Sequence, residues 1–275
     1  MELLERDGDR AVLQAAIEES RAAGRIAVVV GEAGIGKTAL VNTVCGEVAA
    51  RRILWGACDP LITPRPLGPL RDVARQVGGA MAAAMGTASR EDVLDAALDE
   101  LAGAASVLVV EDLHWADDAT LDLVALMSRR LARSPGCLVL TCRTDALRDR
   151  PEVRRVLGSL PRESVRRIEP AALSEAAVAL LARRAGRDPS ALHAVSGGNP
   201  FFVTEVLAAP AGEGAPASVR DAVDARLAGI EPGARAVLEL AAVVPGPTER
   251  WLLDRTVGAD AEAIDACIDL GLLTL

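Results

Sequence analysis

The sequence predicts an α/β fold in which helices flank a parallel sheet, and three observations support this class. The apolar, mostly β-branched run at residues 26–30 has the composition of a strand buried on both faces. A second such run, at residues 106–110, ends in two acids, and a third lies at residues 137–142. Helical patterns alternate with these runs along the chain, which is the order that a parallel sheet requires.

The first run leads directly into G-E-A-G-I-G-K-T at residues 31–38, and residues 39–45 continue with a helical pattern. Strand, spacing and helix together form the context of a phosphate-binding loop, with a chance glycine-rich turn as the alternative. Glycines let successive N–H groups point at phosphate oxygens, and the helix N-terminus adds partial positive charge. The expected nucleotide contacts are Gly31, Glu32, Ala33, Gly34, Ile35, Gly36, Lys37, Thr38 and Ala39.

Two side chains of this loop carry specific chemistry. Lys37 is expected to reach the β- and γ-phosphates, and the Thr38 hydroxyl is expected to bind Mg²⁺. Lys37 is also the only lysine in the chain, and a compact ammonium fits among phosphate oxygens where a planar guanidinium does not. GTP is not the expected ligand, because the guanine-reading N-K-x-D motif needs a lysine of its own.

The acids that follow the second run are Glu111 and Asp112. We expect their strand to lie next to the strand of the phosphate loop, with one carboxylate positioning Mg²⁺ and the other polarising the attacking water. A strand that merely ends in solvated acids is the alternative. Arg143 ends the third run, at the sheet edge where ligands bind, and is expected to sense the γ-phosphate unless it is a surface arginine.

Bulk composition excludes several classes of protein. The 275 residues suffice for two or three domains, and a net charge of -9 indicates no general nucleic-acid-binding surface. The apolar runs are too short to cross a bilayer, the N-terminus lacks signal-peptide features, and the five cysteines show no metal-ligand spacing. We therefore expect a soluble cytoplasmic protein with reduced thiols and no membrane partner.

The remaining pattern places further strands at residues 53–55 and 165–168 and only helices after them. A linker rich in proline, glycine and alanine is expected at 208–217, followed by helices between residues 219 and 270.

Five stretches now stand out together: L-E-R-D at 4–7, the phosphate loop at 31–38, V-E-D-L-H-W-A-D at 110–117, Arg143, and G-G-N-P-F at 197–201. The chain thereby resembles the ATPase core of STAND-class signalling ATPases, relatives of the AAA+ enzymes. The resemblance is greatest to the large ATP-binding LuxR-type transcriptional regulators, with MalT-like proteins more distant. The E-D-L-H-W-A-D run is the most specific of these motifs.

The resemblance implies a P-loop NTPase domain at residues 1–168, a helical lid at 169–210 and an incomplete winged-helix domain at 216–275. It implies ATP or ADP with Mg²⁺ as ligands. Arg6 would lie near the adenine, and Pro200 would contact the nucleotide from the lid.

Glu111 departs from the family, because many members have the Mg²⁺-positioning aspartate there; Asp112 would then act on the water. A second departure is that the winged helix ends before the family's phosphate-contacting histidine. Neither His193 nor His114 fills that role, and His114 is expected to be a structural part of its loop. The resemblance thus implies a fragment, which would reach DNA only through a domain absent here, with an unknown effector and a nucleotide-dependent homo-oligomer as further partners.

The predicted function is an ATP-binding regulatory switch with slow hydrolysis. One alternative is a turnover enzyme, either a motor-like AAA+ ATPase or a small-molecule kinase, although no acceptor pocket with its own base is evident. Another is an ATPase module attached to a nucleotide cyclase or to an origin-recognition-like DNA binder. The acidic balance weakens direct DNA binding.

Overall fold

The computed structural model describes residues 3–48, 51–61, 63–87, 89–103, 106–209, 220–221, 223–224, 227, 230–244, 248–256, 261–269 and 272–273. The chain divides into two compact units, residues 1–204 and residues 205–275. Most of the predicted 208–217 linker and much of the predicted helix at 219–227 lie outside the described residues.

The first unit contains a five-stranded sheet in which every adjacent pair of strands is parallel. All five predicted strands are present, and their sequences alternate with helices as expected for this class of sheet. In chain order they are β1 (Arg25–Gly31), β2 (Ile53–Ala57), β3 (Val107–Glu111), β4 (Cys137–Arg143) and β5 (Val165–Ile168). Their spatial order is β2-β3-β4-β1-β5, which confirms the predicted parallel sheet.

The predicted position of the acidic strand beside the phosphate-loop strand is wrong. Strand β4 lies between β1 and β3, pairing with β1 through Gly31 and Arg143 and with β3 through Val110 and Leu140. Neighbouring strands are about 4.8 Å apart, so β3 runs roughly 10 Å from β1. Side chains at the end of β4 consequently stand between the phosphate loop and the two acids.

Eleven helices accompany the sheet or follow it in the described residues. They are α1 (Asp7–Glu19), α2 (Lys37–Glu47), α3 (Gly68–Val77), α4 (Gly79–Thr87), α5 (Arg90–Gly103), α6 (Asp118–Leu131), α7 (Ala146–Asp149), α8 (Pro151–Ser159), α9 (Glu175–Arg184), α10 (Leu192–Ser196) and α11 (Pro200–Ala208). Helix α4 was not predicted. Its alanines favour a helix but show no apolar periodicity that distinguishes one face from another.

Each face of the sheet is covered by its own apolar cluster. Val28 and Leu108 belong to the cluster that includes residues of α3, α4, α5, α6 and α8, whereas Val29 and Val109 belong to the cluster with α1 and α2. Alternation of side chains along each strand produces this division. It also places Cys137 and Cys142 in different clusters, so their side chains face opposite ways.

All five cysteines are buried and unbridged. Burial raises the pKa of the Cys45 thiol to about 11 and that of Cys137 to about 12. These thiols are therefore protonated and unreactive at neutral pH. No helix within the described residues is both long and apolar enough to cross a membrane.

The secondary structure described in the second unit is helical. Its helices are α12 (Pro232–Val243), α13 (Arg250–Thr256) and α14 (Ala261–Asp269). A small core of Ala234, Val237, Leu253, Ile264 and Cys267 holds them together, as the apolar stripes of amphipathic helices do in a bundle. These three helices lie within the range, residues 219 to 270, in which helices were predicted.

Candidate functional site

The phosphate loop joins the carboxyl end of β1 to the first turn of α2 within the first unit. Gly34 and Gly36 have φ values of +78° and +100°, a left-handed region in which a side chain would be strained. The N-terminus of α2 begins immediately afterwards at Lys37. The sequence thus forms the expected turn, in which amides and a helix N-terminus converge.

Lys37 is 7% exposed, and its ammonium donates to the carbonyl oxygens of Gly31 at 2.9 Å and Glu32 at 2.8 Å. Burial, the largest effect, lowers the pKa of Lys37; the Asp112 carboxylate opposes this shift and the Arg143 guanidinium adds to it. The lysine therefore lies within the electrostatic reach of both other predicted groups.

A turn at residues 197–201, here called the 197–201 turn, contacts the middle of the phosphate loop. The Asn199 amide donates to the Ala33 carbonyl oxygen at 2.9 Å, and the Phe201 N–H donates to that of Gly34 at 3.2 Å. A Cβ built on Gly34 would lie 2.6 Å from the Cβ of Phe201 and 2.8 Å from Asn199 Oδ1. Gly34 is thus needed for close contact as well as for its φ.

Gly197 and Gly198 give the 197–201 turn its shape, with φ values of +59° and +71°. A Cβ on Gly198 would stand 2.2 Å from the Leu173 carbonyl oxygen, and the Leu173 N–H donates to the Gly198 carbonyl. Pro200 is the first residue of α11, a position that suits its fixed φ and missing N–H. Its role as a nucleotide contact stays a prediction.

Arg6 supports the phosphate loop from the N-terminal segment. It is 4% exposed and donates to the carbonyl oxygens of Ile35 at 3.3 Å and Ala171 at 2.6 Å. Together with the contacts of Lys37, Asn199 and Phe201, this gives every loop carbonyl from 31 to 35 a donor. Because the carbonyl and N–H of a peptide point in opposite directions, these contacts turn loop amides towards the ligand side. Contact of Arg6 with adenine stays a prediction.

Glu111 ends β3 on the sheet face that α2 covers, as the burial of Val107 and Val109 against that face indicates. Its Oε2 accepts from the Trp55 indole at 3.1 Å, while its buried Oε1 has no hydrogen-bond partner among the described residues. A free carboxylate oxygen there fits Mg²⁺, which proteins bind with one or two oxygen ligands in addition to water and phosphate oxygens. Thr38, in the first turn of α2, is the other predicted ligand.

A metal ion can also be held by protein side chains alone. No group of three or more histidine, cysteine or acidic side chains within the described ranges could hold a metal ion. Mg²⁺ held by Thr38 and Glu111 would complete its coordination with water and phosphate oxygens.

Asp112 follows β3 in a left-handed conformation with φ of +52°. Its N–H donates to Thr141 Oγ1 on β4 at 2.9 Å, and its side chain is 41% exposed. This anchoring turns the carboxylate out of the strand, and its charge acts on Lys37. Asp112 therefore has the access to solvent and the proximity to the phosphate loop that a water-polarising group requires.

Arg143 is the last residue of β4 and lies opposite Gly31 in the register of β1. It is thus at the carboxyl edge of the sheet, directly beside the phosphate loop. Asp145, two residues further on, also acts on the charge of Lys37. Asp145 was not predicted as a site residue, because an acid in a polar segment after a strand gives no distinguishing signal.

His114, predicted to be a structural part of its loop, also lies beside the site. It lies in a short 3₁₀ turn, Leu113–Trp115, and is 2% exposed. Burial lowers the pKa of His114 from 6.5 to about 3, and Arg143 and Lys37 act in the same direction. The imidazole is therefore neutral at physiological pH, inside the cluster of charged site residues. Its position in the E-D-L-H-W-A-D run is the sequence feature that points to it.

A family model described as an AAA ATPase domain matches residues 2–141, just over half of the chain. The chain belongs to this AAA ATPase domain family. The match spans the phosphate loop, both acids and most of β4, so nucleotide binding by this site follows from the membership. None of the curated proteins matches the sequence.

Solved structures agree with the fold of an AAA ATPase domain. The ORC2 protein of Aeropyrum pernix, in ADPNP–ADP complexes, has a TM-score of 0.64 at 16% identity, with 99% of this chain and 88% of that chain covered. A STAND protein with a tetratricopeptide repeat sensor from Pyrococcus horikoshii has a TM-score of 0.54 at 15% identity, covering 99% and 40%. Cdc6p of Pyrobaculum aerophilum has 0.51 at 16%, covering 89% and 71%. At these identities the similarity concerns the fold alone.

Proposed function

We propose that this AAA ATPase domain is an ATP-binding regulatory switch that hydrolyses ATP slowly. The observation that carries the proposal is the direct hydrogen bonding of the 197–201 turn to the phosphate loop, from Asn199 to Ala33 and from Phe201 to Gly34. A change in the loop between triphosphate and diphosphate would alter these contacts. A helical lid at 169–210 that carries the turn would then respond to the nucleotide state.

Each site residue has a role in the proposed reaction. The loop amides and Lys37 hold the phosphates, and Arg143 contacts the γ-phosphate. Asp112 polarises a water whose oxygen bonds to the γ-phosphorus while the bond from that phosphorus to the ADP oxygen breaks. The water proton passes through Asp112 to the released phosphate. The exposed, left-handed Asp112 beside the loop supports this assignment.

The ligand contacts outside the phosphate loop belong to the same proposal. Thr38 and Glu111 would hold Mg²⁺, which neutralises charge on the phosphates when bound. Arg6 would position the N-terminal segment near the adenine, and Pro200 would contact the nucleotide from the lid. The buried, unpartnered Glu111 oxygen supports the Mg²⁺ assignment.

For the protein as a whole, we infer a signalling role of the kind found in LuxR-type, MalT-like regulators. Residues 216–275 would be part of a winged-helix domain, and nucleotide-dependent self-association would transmit the state of the switch. DNA would be reached only through a further domain, and the buried, protonated thiols suit the reducing cytoplasm.

A second candidate is an ATPase module attached to a nucleotide cyclase or to an origin-recognition-like DNA binder; ORC2 and Cdc6p share the fold of this chain. A net charge of -9 argues against direct DNA contact by these residues. A turnover ATPase of the AAA+ type is the other alternative, and it differs from the switch in rate.

Two measurements on the purified protein test the switch. We expect steady-state turnover well below about one per second, whereas an enzyme of ordinary turnover would reach about 10 per second or more. We also expect chromatography of the denatured protein to recover ADP retained through purification. Turnover in the tens per second, or no recovered nucleotide with rapid exchange of added ADP, would contradict the switch.

A further inference from the structure

The His114 imidazole is a deeply buried titratable side chain beside the site acids, and the proposed reaction does not use it. Its Nδ1 and Nε2 atoms are both buried and without a hydrogen-bond partner in the described part of the chain. Leaving one buried polar group unpaired costs about 1–3 kcal/mol. A histidine that only filled space would therefore be a poor choice, because an apolar side chain would avoid that cost.

The position of the ring is fixed from two sides. The Arg150 guanidinium donates to the carbonyl oxygens of His114 and Ala116, each at 3.0 Å, and so holds the backbone of the turn. The ring of Trp115 stands 5.1 Å away, tilted by 44°. The imidazole is thus held in place without using either of its nitrogens.

One nitrogen is directed at a site residue. His114 Nδ1 lies 3.9 Å from Asp112 Oδ1, which is about 1 Å beyond an N–H···O hydrogen bond. Because the ring is neutral, it carries a single proton that resides on one nitrogen or the other. The negative charge of Asp112 favours the proton on Nδ1. The positive charges of Lys37 and Arg143 favour an unprotonated nitrogen at the other position, Nε2.

We propose that His114 is a positioning residue, whose Nδ1–H donates to the Asp112 carboxylate when nucleotide is bound and holds it in line with the attacking water. The inference rests on the proposed hydrolytic role of Asp112. A rotation of the partly exposed Asp112 side chain closes the remaining gap. The buried, backbone-anchored ring supplies the rigidity that a solvent-facing carboxylate lacks.

Two substitutions separate positioning from mere packing. His114→Phe keeps an aromatic ring against Trp115 but removes both nitrogens. His114→Asn keeps an N–H donor close to the position of Nδ1. We expect the Phe variant to lower kcat about 10- to 150-fold, the range for losing a charge-assisted hydrogen bond, with KM changed less than about threefold. The Asn variant should retain kcat to within about threefold.

Stability measurements keep this test decisive. His114→Phe should be at least as stable to urea as the parent protein at pH 7, since it removes two unpaired buried nitrogens. An unchanged kcat in His114→Phe, or an equal loss in the Phe and Asn variants, would overturn the inference while leaving the hydrolytic function intact. Loss of stability that parallels the loss of kcat would also overturn it.

A spectroscopic measurement gives an answer that does not depend on turnover. The chain has two histidines, so ¹⁵N-histidine labelling yields two imidazole signal sets, and His193→Gln identifies that of His114. We expect the Nδ1–H tautomer, with its proton shift changed by Mg²⁺ and ADPNP in the parent but not in Asp112→Ala. An Nε2–H tautomer in the bound state would refute the inference. Absent hydrolysis with the expected tautomer would instead refute only the hydrolytic function.

Discussion

Asn199 makes the one side-chain hydrogen bond between the 197–201 turn and the phosphate loop within the described residues, and Asn199→Ala tests whether the turn retains ADP. The side chain is 5% exposed; it donates to the Ala33 carbonyl at 2.9 Å and accepts from the Phe201 N–H at 3.1 Å. Only the bond to Ala33 is broken when the turn separates from the loop, and one neutral hydrogen bond contributes about 0.5–1.5 kcal/mol. If ADP leaves only after that separation, its release rate in Asn199→Ala should rise roughly 2- to 13-fold.

Stopped-flow displacement of a fluorescent ADP by excess ATP measures this release directly. The matched control is Thr204→Ala, because the Thr204 hydroxyl donates only to the Pro200 and Phe201 carbonyl oxygens of its own helix. The control should leave the release rate within about twofold of the parent. Equal release rates in Asn199→Ala, Thr204→Ala and the parent would show that the turn does not retain the nucleotide.

Three further predictions follow from the site. Lys37→Ala should weaken ATP and ADP binding about 10- to 150-fold, since a charge-assisted phosphate contact is lost; unchanged calorimetric affinity would contradict the phosphate-loop assignment. Asp112→Asn should keep nucleotide affinity within a few-fold but reduce hydrolysis, whereas Glu111→Gln should weaken the Mg²⁺ dependence of binding; the opposite outcome would reverse the two roles. A third prediction concerns His114, whose pKa falls from 6.5 to about 3 on folding. Between these pH values the unfolded chain binds one more proton than the folded chain. The free energy of unfolding therefore falls as the pH is lowered through this window. Relative to His114→Phe, the parent should therefore lose about 2 kcal/mol of unfolding free energy between pH 7 and pH 5, and parallel urea-denaturation profiles would contradict this.

The features that the sequence determined by itself are local. Apolar runs predicted β1, β3 and β4, because a strand buried on both faces needs such residues over only five to seven positions. The phosphate loop could also be predicted, because its defining residues, Gly31 to Thr38, are consecutive in the sequence. The acids at 111 and 112 followed from the strand that they end. The alanine-rich α4 escaped prediction, because without apolar periodicity a helix gives only a weak signal.

The features that only the tertiary structure decided involve residues far apart in the chain. Strand order is one: the sequence cannot say that β4 enters between β1 and β3, because pairing depends on crossovers and not on strand composition. Asn199 meets Ala33 across 166 positions, and Arg6 meets Ala171 across 165. The isolation of the His114 nitrogens likewise depends on what the fold packs around the ring, because burial and partners, and not residue type, decide whether an imidazole is neutral and free to donate.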